Sequence, residues 1–294
     1  MKNGLKLTSC LLLIISLLLC SQKSISQGTD LSIGKHNGMY IGMAVGPSRS
    51  KIINKGTLNN ISTATRYTFI SSFEFGYFFS KYFGITSGIG YAPYKSMHSL
   101  NSYDSRFPAT DSDNEAYDLV VNGSAIQETQ IIGFLSIPVC LNLRIPIGES
   151  SGMFFQGGAD LSVPMNKTYE SSGTFTYQGY YTKYNVMLKD LPQHGFPTNL
   201  QSNADGDLEL KPIDINFIVA AGFDFSLGRQ AQLALAIAYD KSLANISKYE
   251  SSKDFQLSLE PQNINSFMAG STKAATQLIC LKLMFRFYFP LIII

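Results

Sequence analysis

Alternation of apolar and polar residues is the feature that most constrains this chain. It recurs in eight segments: Met39–Ser48, Thr68–Phe79, Phe83–Lys95, Glu128–Ile145, Met153–Met165, Pro212–Leu227, Ala231–Lys241 and Thr272–Phe289. In the seventh segment, for example, Leu233 and Leu235 alternate with Ala234 and Ala236. A period of two is that of a β-strand, whose successive side chains point to opposite faces. The sequence therefore predicts an all-β protein.

The links between these segments alternate in length. Four of them have 19, 32, 46 and 30 residues, and the three that separate these have 3, 7 and 3. Barrels of the bacterial outer membrane show this asymmetry, with short periplasmic turns and long extracellular loops. The prediction is an eight-stranded antiparallel transmembrane up-and-down β-barrel with four long extracellular loops and both termini in the periplasm.

A secreted soluble β protein is the alternative, because alternation does not say which face meets water. The polar faces, however, are rich in Gly, Ala and Ser, and only 15% of the residues are charged, whereas soluble domains carry about a quarter. Small residues suit the narrow inside of an eight-stranded barrel. The composition therefore favours the membrane barrel, for which outer-membrane lipid is the first predicted partner.

The first 26 residues have the order of a secretory signal peptide, and residues 27–294 are predicted to form the barrel domain. A basic start and an apolar stretch from Leu11 to Leu19 precede the small residues Ser24–Ser26, near which cleavage is expected. Lipidation of Cys20 is the alternative, although Leu19 stands where a lipobox usually has a small residue. Either reading predicts export.

No motif predicts catalysis, a cofactor or a metal site. Outside the leader the chain has two cysteines, Cys140 and Cys280, and its histidines lie apart from them, which argues against zinc. A lipid hydrolase of the outer membrane needs a serine beside a histidine base. His98 and His194 lie among serines in the predicted loops, so this class stays an alternative, but the chain is predicted not to be an enzyme.

Nucleic acid is not a predicted partner. Three lysines of the leader account for the excess of basic residues, and without them 20 basic residues stand against 21 acidic ones. A nearly neutral chain lacks the overall positive charge that attracts nucleic acid.

Charged residues on the inward faces predict a lumen ion network. Alternate positions along each predicted strand face the lumen, and the predicted network comprises charged residues at these positions, namely Glu74, Arg144, Asp160, Asp214, Asp224, Asp240, Lys282 and Arg286. Charges in a narrow interior must be paired, because an unpaired buried charge is strongly destabilising. Strand direction predicts that Arg144, Asp224 and Arg286 share the periplasmic end, whereas Glu74, Asp160 and Lys282 lie nearer the middle. The alternative is that some of these groups contact water in the lumen.

The longest link contains a candidate binding loop. Within ten residues it carries five aromatic ones: Phe175, Tyr177, Tyr180, Tyr181 and Tyr184. Aromatic rings among small polar residues are typical of adaptable binding surfaces. The alternative is that the flanking strands continue as a hairpin that turns near Gly179, in which the tyrosines cover one another.

Pro138 interrupts the fourth segment. Proline cannot donate a hydrogen bond to a neighbouring strand, and a closed barrel has no free edge for it. The sequence therefore predicts a β-bulge at this residue.

Several segments carry a family resemblance: Gly133–Arg144, Phe154–Leu161, Phe73–Phe79, Phe83–Ile85 and Ala221–Asp224. The first two resemble the central hairpin, and the others resemble further hairpins, of the PorT-like outer-membrane β-barrel proteins of Bacteroidetes. The resemblance implies an outer-membrane barrel and, from the family's named member, an accessory role in protein secretion.

Two classes of function suit an eight-stranded barrel. One is a structural or interaction protein of the bacterial envelope, which binds an envelope or extracellular protein partner through its loops. The other is a small channel or porin-like protein. The interior of eight strands is just wide enough to be filled by its own side chains, so the sequence favours the first class.

Overall fold

The computed structural model describes residues 38–56, 58, 60–249 and 255–289 of the chain. Ten strands form one antiparallel sheet. They are β1 (Gly38–Gly56), β2 (Ser62–Phe78), β3 (Phe83–Thr110), β4 (Ala116–Ile147), β5 (Ser151–Tyr181), β6 (Val186–Leu188), β7 (Leu200–Asp207), β8 (Asp214–Leu227), β9 (Ala231–Ser242) and β10 (Ser271–Tyr288). Over these residues, no helix is both long enough and apolar enough to cross a membrane. The predicted signal peptide lies outside the described residues.

Eight of the strands close into a barrel. They pair in the order β1, β2, β3, β4, β5, β8, β9, β10, and β10 pairs back to β1 from Tyr40–Tyr288 to Gly56–Ser271. These are the eight predicted segments, so the predicted fold class is confirmed. The two additional strands, β6 and β7, pair with β5 beyond the stretch where β5 pairs with β8.

Side chains of the barrel alternate between the lumen and the outside, as the sequence predicts. On β10, Ile279, Leu283 and Phe287 are exposed, whereas Cys280 and Met284 are buried in the lumen. The other strands show the same alternation, and the outward residues join into a continuous ring that we call the apolar band. It covers eleven residues, Ile279 to Phe289, and the ten steps between them correspond to roughly 25 Å along the barrel axis at ~3.4 Å per residue and a tilt of about 40°. That height matches the hydrocarbon-facing band of outer-membrane barrels.

Strands β3, β4 and β5 continue far beyond the apolar band, and we call this part the extension. β3 and β4 stay paired from Tyr91–Leu135, at the upper edge of the band, to Thr110–Ala116. The predicted loop over residues 96–127 is therefore wrong in extent, since only Asp111–Glu115 connects the two strands. Alternation failed to show these strands because, above the band, the outer face becomes mostly polar and the inner face mixes apolar residues with polar ones.

The segment Phe255–Gly270, between β9 and β10, folds into the open end of the barrel, and we call it the cap. Leu257, Ile264 and Phe267 of the cap are buried. They form one hydrophobic core with inward-facing residues of β3, β4 and β5 such as Val121 and Phe175. The cap thus fills the space that the extension encloses.

The bulge predicted at Pro138 is wrong. Pro138 pairs with Asp160 of β5 in an unbroken register, and the irregularity lies earlier, between Gly133 and Phe134. On the β3 side, the register is the same before and after Pro138, and the Pro138 carbonyl accepts a 2.8 Å hydrogen bond from Ser87 Oγ. The proline is accommodated by a locally weakened ladder, without an extra residue.

Candidate functional site

A buried ion pair lies at the end of the lumen where the short turns connect the strands. Arg144 of β4 donates hydrogen bonds to both carboxylate oxygens of Asp224 on β8, with Nη2 at 2.6 Å from Oδ1 and Nε at 2.9 Å from Oδ2. Both side chains are buried. Bidentate geometry satisfies the charges of both partners, so the structure places these two predicted residues together.

Arg286 of β10 lies near the same end but pairs with Glu74. Its Nη2 is 3.7 Å from Glu74 Oε2, and its guanidinium lies over the rings of Tyr40 and Phe154 at 5.1 and 5.3 Å. The prediction that Glu74 lies nearer the middle is wrong, because Gly42 pairs with Glu74 on one side and with Arg286 on the other. Strand direction alone did not reveal this register.

Three carboxylates and one lysine occupy the lumen further up. Asp160 accepts a hydrogen bond from Ser162 (3.1 Å), and Asp214 accepts one from Ser242 (2.8 Å). Within the described part of the chain, Lys282 and Asp240 form no salt bridge. The predicted network is thus two ion pairs near one end and a group of carboxylates whose partners are mostly hydroxyls.

Glu128 of β4 holds the cap in place. Its buried carboxylate accepts hydrogen bonds from two cap groups, Ser266 Oγ and Phe267 N, both at 2.8 Å. It also accepts bonds from Ser171 Oγ at 2.7 Å and Gln130 Nε2 at 2.6 Å. Burial raises the pKa of Glu128, and the four donors oppose that shift. This role is not predictable from the sequence, in which the only signal for it is an acidic residue at an inward position.

His98 of β3 lies opposite Glu128 in the β3–β4 register, above the apolar band. Its Nε2 is 2.8 Å from Ser96 Oγ, and its Nδ1 is 3.0 Å from Thr63 Oγ1. Burial lowers the pKa of His98 to about 4. Ser96 and His98 have the residue types of a hydrolase pair, but both are 0% exposed, so a substrate does not reach them.

The other groups that could react or bind a metal ion include His194. His194 lies in a single turn of 3-10 helix between β6 and β7. Among the described residues, no three His, Cys, Asp or Glu side chains are arranged to hold a metal ion.

The candidate binding loop divides between the inside and the outside of the extension. Phe175, Tyr177 and Tyr181 are buried, and the hydroxyl of Tyr177 is 2.7 Å from that of Ser258 in the cap. Tyr180 is half-buried on the outer face, and Tyr184 is 51% exposed. Phe175 and Tyr177 therefore belong to the core of the extension and Tyr181 is buried, so of the five aromatics only Tyr180 and Tyr184 are placed to meet a partner.

The turn after β5 is tied to the turn between β3 and β4. Tyr181 donates a 2.9 Å hydrogen bond to Asp111, and Tyr184 donates one of 2.5 Å to Glu115, which also pairs with Lys183 at 3.3 Å. Burial and the bond to Asp111 raise the pKa of Tyr181 to about 12, which keeps the donor protonated. The strand continues past Gly179 and turns at residues 182–185. Hydrogen bonds and an ion pair thus hold the two turns at the end of the extension together.

An exposed surface lies beside these turns, and we call it the tip surface: Arg106, Tyr180, Tyr184 and Met187. Arg106 is 4.8 Å above the ring of Tyr180 and 2.7 Å from Asp118. Tyr180 and Met187 are direct partners across β5 and β6, so their side chains share one face. Arg106, Tyr184 and Met187 are exposed.

Residues 22–248 match the family described as "Outer membrane protein beta-barrel domain". The chain belongs to this family. The match includes β1 to β9, and β10, which closes the ring, follows it. Family and apolar band together place this outer-membrane barrel in the bacterial outer membrane.

Several solved barrels are similar to this outer-membrane barrel at low identity. OprG from Pseudomonas aeruginosa is 14% identical, with 86% of this chain and 96% of OprG covered and a TM-score of 0.39. Neisserial surface protein A is 10% identical (86% and 98% covered, TM-score 0.37). Ail, the attachment invasion locus protein of Yersinia pestis, solved with the heparin analogue sucrose octasulfate, is 11% identical (85% and 99% covered, TM-score 0.30). A search of curated proteins finds no match. Similarity at this level transfers no function.

Proposed function

We propose that this outer-membrane barrel is an interaction protein that binds an extracellular protein partner through the tip surface. The observation that carries the proposal is a contrast: the lumen is filled at both ends, whereas the extension has an exposed face and turns that are held together by hydrogen bonds. A solute channel needs the opposite arrangement, an open lumen under mobile loops.

Buried side chains fill the lumen at both ends. At one end, Tyr40, Phe78 and Tyr288 form a buried aromatic cluster beside Arg286. At the other end, the cap packs its apolar residues into the extension. Opening either end would leave buried charges without partners or expose a hydrophobic core, and both are costly.

The tip surface has the composition of a binding site. Arg, Tyr and Met are enriched at protein interfaces, and Tyr and Arg are frequent hot-spot residues. Because Tyr181 and Tyr184 tie the two turns together, little conformational entropy is lost when a partner binds. Of the aromatic segment, Tyr180 and Tyr184 are thus the residues that contact the partner in this proposal.

The proposal includes an orientation and a narrower family. The extension would face the cell exterior and both termini the periplasm, since outer-membrane barrels place their short turns inside. The hairpin segments around Gly133–Arg144 support membership among the PorT-like barrels of Bacteroidetes, with an accessory role in secretion as the second candidate function.

Site-specific photo-crosslinking in intact cells tests the binding. A photoreactive residue replaces Tyr184 or, as a control at the other end of the barrel, the exposed Glu149. We expect a protein adduct at position 184 that is lost when Tyr180→Ala and Met187→Ala are added, and none at position 149. Equal amounts of adduct at both positions, or no adduct at position 184 of a folded barrel, would refute binding through the tip surface. Steady conductance of the purified barrel in a planar bilayer would support a channel instead.

A further inference from the structure

Six basic side chains gather on one side of the barrel, at the upper edge of the apolar band and above it, and we call them the basic belt. They are Arg49, Lys51 and Lys55 of β1, Arg66 of β2, Lys241 of β9 and Lys273 of β10. All are exposed except Lys51, which is half-buried. β1 supplies three of them because its outward positions change at Arg49 from apolar to basic residues.

Strand register sets the height of the belt. Lys241, Gln277 and Lys51 are partners across β9, β10 and β1, and the next row towards the band starts with Tyr239 and Ile279. The belt thus starts level with the upper edge of the apolar band, where Arg49 pairs with Ile279, and extends three outward rows higher, to Lys55 and Lys273. Side chains at and just above the edge of the band lie among lipid headgroups when the band lies in hydrocarbon.

No carboxylate of these strands balances the belt. The acids within the described ranges of β1, β2, β9 and β10 are Glu74 and Asp240, and both occupy inward positions. In the described residues, no belt residue forms an ion pair. Exposed acids gather across the barrel, where Glu170 of β5 pairs in register with Asp205 of β7.

Two belt lysines oppose each other directly. Lys55 of β1 and Lys273 of β10 are register partners, and like charges at such positions are destabilising unless an anion lies between them. The arrangement therefore favours a bound negative group.

An irregularity in β2 adds an interfacial aromatic residue. Thr65 pairs with Ser96 and Ser71 with Tyr91, so five residues of β2 face four of β3. An extra residue of this kind bends a strand locally. In this stretch Tyr67 is 80% exposed, with the guanidinium of Arg49 at 5.9 Å from its ring. Aromatic and basic residues at one depth are typical of membrane–water interfaces.

We infer that the basic belt binds the phosphate groups of lipids in the leaflet next to the extension. The belt, the band beneath it and the protruding Tyr67 match a molecule with phosphates above acyl chains. Each basic residue near an anionic surface strengthens binding by about fivefold. This surface is separate from the tip surface, and the use of lipid A as the probe rests on the proposed orientation, in which the extension faces the cell exterior.

Binding of lipid A with two phosphates to the full mature barrel in neutral detergent tests the inference. The variant Lys51→Gln/Lys241→Gln/Lys273→Gln removes half of the belt. Its matched control, Lys167→Gln/Lys189→Gln/Lys211→Gln, removes the same charge around β5 to β8. We expect the belt variant to raise Kd by about 100-fold, and the control to change it less than twofold.

Two further probes separate lipid from free anion. Dephosphorylated lipid A should bind the wild type at least tenfold more weakly, and soluble inositol hexakisphosphate should not compete at equal concentration. Equal loss in both triple variants, undiminished binding of the dephosphorylated lipid, or effective competition by the soluble phosphate would overturn the inference. If the belt variant loses heat-modifiable migration, the test is the salt dependence of lipid A binding by the wild type. Binding that is unchanged between 50 and 500 mM salt would then overturn the inference, because salt screens the attraction between exposed charges.

Discussion

Glu128 offers the sharpest test of how the barrel is closed. We predict that Glu128→Ala releases the cap while the eight-stranded ring stays folded. The substitution removes two hydrogen bonds from the cap, those of Ser266 Oγ and Phe267 N. Each bond to a buried charged acceptor contributes about 1.5–3 kcal/mol. Water can enter the space left by the side chain, so we take the lower end, about 3 kcal/mol in total.

That free energy corresponds to a roughly 100-fold larger population of the open cap. Hydrogen exchange of the Phe267 amide should accelerate by about the same factor, because this group is protected by Glu128 in the closed state. Glu170→Ala is the matched control, since Glu170 lies on the outer face of the same extension. Unchanged exchange at Phe267, or equal acceleration in the control, would refute the reasoning. Heat-modifiable migration reports separately on the ring.

Three further predictions concern the lumen, pH and orientation. Asp224→Ala leaves its buried arginine partner unpaired and should lower the free energy of unfolding by about 3–5 kcal/mol in a denaturant titration, whereas Asp118→Ala, which breaks an exposed pair, should cost at most about 1 kcal/mol. His98 binds a proton only near pH 4, while the unfolded chain binds it near pH 6.5; stability should therefore fall by up to about 3 kcal/mol as the pH drops from 6.5 to 4, and a slope unchanged in His98→Gln would contradict this. An impermeant thiol reagent on intact cells should label Ser124→Cys but not Ser150→Cys. The reverse pattern would show that the barrel has the opposite orientation.

The partly correct predictions show where sequence reasoning loses information. Alternation located all eight barrel strands but stopped at the edge of the apolar band, where β3 and β4 continue to Thr110 and Ala116. Within the band, most outward positions are apolar and most inward positions are small or polar, so the alternation is regular. Above the band the outer face is mostly polar and the inner face mixes apolar core residues with buried polar ones, so the strands of the extension look like loops.

Parity also placed the lumen charges on the correct face without showing their partners. A residue's face depends only on its position along its own strand. Its partner depends on the stagger between strands, which brought Glu74 level with Arg286 through Gly42 and left Lys282 without an ion pair in the described residues.

The sequence by itself determined the fold class, the two faces of each strand and the apolar band, because these depend on a local period of two. Only the tertiary structure decided how the lumen is closed. The hydrogen bonds that Ser266 and Phe267 donate to Glu128 join residues more than a hundred positions apart. Phe175 and Tyr177 of the aromatic segment face inwards because they pack against the apolar residues of the cap. Such contacts depend on where the closed ring brings distant segments together, which no pattern along the chain records.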